Sequence, residues 1–138
     1  MHRDPVAGWS HRSRASREGG SAIAEFVMVA TLVLILSIGA LQLALLLHAR
    51  NVAMSSASEG ARRAARADAT PADGVDRATA LLEDSLRPGY ADSVTATVTV
   101  QDGLRVVEVT ITAPLPVLGL LGPSGSMVVT GRAIMERQ

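Results

Sequence analysis

Hydrophobic positions along this chain change period three times, and each change marks an element. From Phe26 to Leu47 run 22 residues without a formal charge, interrupted only by the polar Thr31, Ser37 and Gln42. At about 1.5 Å of rise per residue, a helix of that length crosses the ~30 Å hydrocarbon core of a bilayer. Past this run the pattern becomes one-sided. Ala53, Ala57, Ala61 and Ala65 recur every four residues and so share one helical face. No proline falls between Ser21 and Thr70, so one helix is predicted over residues 21–68, its first half apolar all round and its second half amphipathic. Glu59 and Arg63 stand at i,i+4, in the favourable order for a surface ion pair. Gly60 is the place where that helix bends or breaks most easily.

A stop and a new start follow. Thr70 suits an N-cap, Pro71 the first helical position, and Asp73 the third, close to a capping box. A second helix to about Leu86 is predicted to bury Val75, Ala78, Leu82 and Leu86, and Arg87-Pro88-Gly89 ends it. The period then shortens to two. Val94, Ala96, Val98 and Val100 alternate with threonines, Gln101-Asp102-Gly103 supplies turn chemistry, and Val107, Val109 and Ile111 resume the alternation. A third strand is predicted over Met127–Met135, with Met127, Val129, Gly131 and Ala133 on one face. Between strands two and three lies an apolar, proline-punctuated loop around Leu115–Leu121, read either as a cap on the sheet or as a contact for a partner or membrane surface. The fold class is α+β: a long N-terminal transmembrane and amphipathic helix, a short second helix, and a small three-stranded antiparallel sheet. Three segments follow, namely a leader over 1–20, the helix over 21–68 and an extracytoplasmic domain over 69–138.

Composition narrows what such a domain is built from. Only one each of Phe, Trp and Tyr occurs among 138 residues, so the core rests on Ala, Val and Leu. With no cysteine there is no disulfide and no thiolate ligand or nucleophile. Net charge is zero and all thirteen basic residues are arginine, with no interleaved aromatics, so no nucleic-acid partner is expected. Arg62-Arg63-Ala64-Ala65-Arg66 reads as a solvated helix face. His2, His11 and His48 are scattered, and no nucleophile–histidine–acid set, phosphate loop or metal-ligand spacing appears. The chain therefore reads as a non-enzyme without cofactor or metal.

The mouth of the apolar helix carries the chemistry. Residues 1–20 hold Pro5, Gly8 and three serines among scattered charges, with no apolar period, and read as a disordered cytoplasmic leader. Arginines on the two flanks nearly tie, so the positive-inside count favours an N-inside orientation only slightly. Gly19-Gly20-Ser21 closes the leader, and Glu25 is the last acid before the apolar run. An unpaired carboxylate at that depth is costly unless it finds a partner, snorkels to the head groups, or sits on the positive end of the helix dipole. Within the span, Ala30, Ser37 and Ala44 recur every seven residues with Ala40 between them. Such a stripe lets helices approach closely in lipid, although the same residues also serve simply to fill an anchor.

The leader, the glycine, the small residue after it, Glu25 and the immediate apolar run together resemble the processing site of a type IV prepilin. Ser21-Ala22-Ile23-Ala24-Glu25-Phe26 and Glu59-Gly60-Ala61-Arg62-Arg63-Ala64-Ala65-Arg66, with the closing strands and the Pro114-Leu115-Pro116 break, resemble the TadE-like pseudopilins of the tight-adherence (Flp-type) pilus system. That resemblance implies cleavage between Gly20 and Ser21 by a prepilin peptidase. Glu25 becomes the fifth residue of the mature chain, setting subunit register against a neighbour's new amino terminus. Ser21 departs from the commonest pilins, which begin with Phe, and this leaves its N-methylation open. The implied role is that of a minor pseudopilin in pilus assembly, a single-pass cytoplasmic-membrane protein in contact with membrane lipid. Its implied partners are a major pilin, a second pseudopilin and the inner-membrane assembly platform. The alternative is an unprocessed, signal-anchored envelope protein with an extracytoplasmic binding domain.

Overall fold

A computed structural model describes residues 15–116 and 125–135, with side chains from Gly20 onward. The elements follow in the order α1 (Ala15–Ala64), α2 (Pro71–Ser85), β1 (Ser93–Gln101), β2 (Leu104–Pro114) and β3 (Ser126–Ile134). The α+β class is as expected. The chain divides into two compact units, Met1–Ala40 and Leu41–Gln138, with the boundary inside α1.

In the first unit, α1 begins at Ala15 rather than at Ser21, so the last part of the expected disordered leader is helical. Residues 1–14 lie outside the described residues. From Gly20 to Ala40 every residue is exposed, including Phe26 at 72% and Leu36 at 64%. Two hydroxyls in this stretch bond back to their own helix: Thr31 Oγ1 donates to the Val27 carbonyl at 2.7 Å and Ser37 Oγ to the Val33 carbonyl at 2.8 Å. Among the described residues this is the helix long and apolar enough to cross a membrane.

In the second unit α1 acquires a buried side. Ala49, Ala53, Ala57, Ala61, Ala64 and Ala65 are all buried, four of them forming the expected every-fourth-residue row. Small side chains let backbones come close, and the glycines show how close. A Cβ on Gly131 of β3 would collide with the backbone of Ala57 and Ser58, so the sheet rests directly on the helix there. Gly60 proves to be no hinge. A Cβ on it would stand 2.6 Å from the Gly74 carbonyl oxygen and 2.9 Å from the Ala78 Cβ, so Gly60 and Gly74 are where α1 and α2 cross at backbone contact. The helix runs unbroken through it because the conformational cost of glycine is offset by a packing surface. The helix ends at Ala64, four residues before the expected Asp68, and a short turn leads to Thr70, which precedes a proline and is extended (φ −115, ψ 163).

Thr70 caps α2 as expected. The Asp73 amide donates to Thr70 Oγ1 at 3.3 Å, and the Thr70 amide donates to Asp73 Oδ2 at 2.7 Å. Ala78 and Leu82 are buried, whereas Val75 and Leu86 are only half-buried and Gly74 takes the covered position instead. The sheet has order β1-β2-β3, antiparallel throughout. Asp102 (φ 53) and Gly103 (φ 78) form the two-residue turn, with both central residues in the left-handed region as a type I′ hairpin requires. Val107, Val109, Ile111 and Ala113 of β2 are fully buried. Met127, Val129 and Gly131 of β3 face the same way, with Ala133 partly buried. The strand starts and ends one residue earlier than expected. The opposite face carries Thr95, Thr110 and Thr130 in one row and Thr97, Glu108 and Arg132 in the next. A short charge-assisted hydrogen bond joins Arg132 to Glu108.

Candidate processing site and anchor helix

Gly20, Ser21 and Glu25 all lie on α1 and all are exposed. A Cβ on Gly20 would meet nothing within 4 Å, so the Gly20–Ser21 bond is sterically open. It is nonetheless helical, although the residues up to Gly20 are expected to form a disordered leader. A protease that reads an extended strand must first unwind the turn containing it. Ser21 and Glu25 are four residues apart on one helix, hence on the same face and about 6 Å apart along the axis. An amino group at Ser21 would stand about one turn from the Glu25 carboxylate of its own chain.

Ala30, Ser37, Ala40 and Ala44 are exposed along α1, uncovered by the other described residues. The hydroxyl of Ser37 is already bound to its own helix, so at that position the residue offers a small surface rather than a hydrogen bond. The large apolar residues around them, from Ile23 to Leu43, are equally uncovered. Such a surface is stable only in an apolar solvent or under a partner, and it is compatible with single-pass anchoring.

At its far end the same helix presents arginines. Arg62 pairs with Glu59 at 3.0 Å, in place of the expected Glu59–Arg63 contact. Arg63 turns to Asp73 of α2 at 4.0 Å and Arg66 to Asp68 at 3.6 Å. Glu59 reaches Arg62 one turn on, while Arg63 points across the helix crossing. The Asp73 carboxyl is held below the ordinary carboxylate range, chiefly by the Thr70 hydroxyl, then by the Thr70 amide and the Arg63 charge, against a small opposing effect of burial.

Tyr90 was not legible as a structural residue. Its hydroxyl donates to the Pro114 carbonyl at 3.0 Å, tying the segment after α2 to the end of β2. Arg87 lies over its ring, 5.8 Å from the centroid. Burial raises the Tyr90 phenol above its usual value, with the Arg87 charge opposing. The only available signal was its being the sole tyrosine, just after Pro88-Gly89. Of the loop over Leu115–Leu121, Leu115 packs partly against the core and its amide donates to the Gly125 carbonyl at 3.0 Å. The part from 117 on lies outside the described residues.

The arrangement defines a class: an exposed apolar helix, long enough to cross a membrane, whose continuation packs into a small α+β domain. Residues 20–62 match the model of the family described as TadE-like protein, so the resemblance read from Ser21–Phe26 and from the first part of the Glu59–Arg66 stretch is borne out there. The match covers less than half of the chain and stops before α2 and the sheet. No curated protein and no solved structure matches the chain.

Proposed function

We propose that this chain is a minor pseudopilin of a tight-adherence (Flp-type) pilus, cut between Gly20 and Ser21 by a prepilin peptidase and acting in pilus assembly. The observation that carries this reading is the extent of the family match, which begins at Gly20 and takes in Ser21, Glu25 and the whole exposed apolar run. In this reading the N-terminus faces the cytoplasm and the α+β domain lies outside, beside a major pilin, a second pseudopilin and the assembly platform. The new Ser21 amino group neutralises a Glu25 carboxylate, its own or a neighbour's. Either pairing removes the cost of an ionised acid at the lipid boundary. The stripe Ala30, Ser37, Ala40 and Ala44 gives neighbouring helices a close approach.

The test is N-terminal sequencing of the protein from cells with and without an active prepilin peptidase. A chain starting at Ser21 only when the peptidase is active supports the proposal; an intact Met1 form in both refutes it. Glu25→Ala should still be cut and inserted yet be missing from sheared pili. A second reading, an unprocessed signal anchor with an external binding domain, is favoured by one observation: α1 continues unbroken from Ala15 through the Gly20–Ser21 bond. The same sequencing separates the two.

A further inference from the structure

The arginines at the end of α1 do not stand alone. Arg62, Arg63 and Arg66 line, with Glu59 and with Arg77 of α2, an open groove of about 460 Å³. Three of these guanidiniums already have a carboxylate beside them, Glu59 for Arg62, Asp73 for Arg63 and Asp68 for Arg66, all in solvent-exposed pairs that are individually weak. Arg62 and Arg66 are about two-thirds exposed, at 66% and 60%, and Arg77 takes part in none of the ion pairs among the described residues. Arg62 lies fifteen residues beyond Leu47, about 22 Å along the helix. About four helical turns thus separate the groove from the end of the charge-free run.

The complement is on the same molecule. Gly74, Ala78 and Leu82 are the covered face of α2. Asp76, Ala80 and Glu83, at i, i+4 and i+7, form its opposite, exposed face, and neither acid is in an ion pair among the described residues. We infer that the arginine groove of one copy receives the Asp76–Glu83 face of α2 from a second copy. Groove and acidic face are different patches, so the contact is heterologous, and each copy offers one donor and one acceptor surface. Such a contact repeats without inverting subunit polarity. Arginine suits it, since each guanidinium engages a carboxylate through two parallel N–H donors. The contact does not depend on cleavage at Gly20, so it stands or falls apart from the proposed function.

The test uses the full chain in detergent, with self-association followed by sedimentation. Two charge-reversed forms are needed, Arg66→Glu/Arg77→Glu and Asp76→Arg/Glu83→Arg, each checked for an unchanged helix signal and melt. The native chain should associate at low salt and weaken at least about ten-fold by ~0.5 M salt. Each reversed form should lose that association when alone. Mixing the two should restore it, because the negative groove of one then meets the positive helix of the other. This restoration also shows that both forms are folded. Association insensitive to either reversal, no restoration on mixing, or arginine-dependent binding to anionic vesicles without self-association would overturn the inference.

Discussion

The two halves of α1 share a backbone and differ in what they expose. From Gly20 to Ala40 the large side chains, Phe26, Leu32, Ile35 and Leu36 among them, are exposed and no described residue covers them. From Ala49 to Ala65 the buried positions are alanine, with Gly60 and Ser56. Bulk sits where lipid can solvate it, and smallness sits where another backbone must come close. The first half is thus built for a solvent, in which a residue's transfer energy decides. The second is built for a neighbour, in which its volume decides.

The largest effect expected from breaking that division is in the second half. Gly131→Val would drive a branched side chain into the Ala57 backbone, where neither partner can move alone. It should cost at least about 3 kcal/mol of domain stability, read as a lost or strongly lowered cooperative melt of the full chain in detergent, with membrane association unchanged. Leu34→Arg, in the first half, should do the reverse. It should oppose insertion by about 3 kcal/mol, seen as release of protein on alkaline extraction of membranes, and leave the domain melt unaltered. If either variant disturbs both readouts equally, the two halves are not governed by different solvents.

Smaller effects sharpen the picture within the domain. Thr70→Ala removes the cap of α2 and should cost about 1 kcal/mol. Asp73, whose carboxyl is held below its ordinary value, binds its proton less tightly folded than unfolded. Its contribution is therefore complete above about pH 4, its unfolded value, and fades as pH falls through the lower folded value. Thr70→Ala should shrink that acid dependence, so native and variant melts should converge below about pH 4. A gap between them that holds constant into strong acid would count against the capping box as its source.

Local signals carried the elements. The charge-free run, the every-fourth-residue alanines, Thr70-Pro71-Ala72-Asp73 and the alternating strands each depend on neighbours within a turn or a hairpin. Periodicity and capping act at that range. The ion pairs and glycines were harder. Glu59 has two arginines within reach, and which one it takes depends on Asp73 competing for Arg63 across the crossing. Gly60 by sequence is a weak point in a helix, and only Gly74 opposite turns it into a contact. Of the candidate site, the Gly20–Ser21 junction, Glu25 and the span were plain from residue order. The helical state of that junction was not, because upstream helix outweighed the glycines.

The order of residues alone determined which run is apolar and long enough to cross a bilayer, where the chain turns and which face of each strand is apolar, because those follow from the transfer energy and backbone preference of each residue. The tertiary structure decided which small residues touch, which charges pair and where Tyr90 anchors the sheet to the segment after α2. Those choices are made between segments far apart in the chain, where close packing admits one partner and excludes the rest.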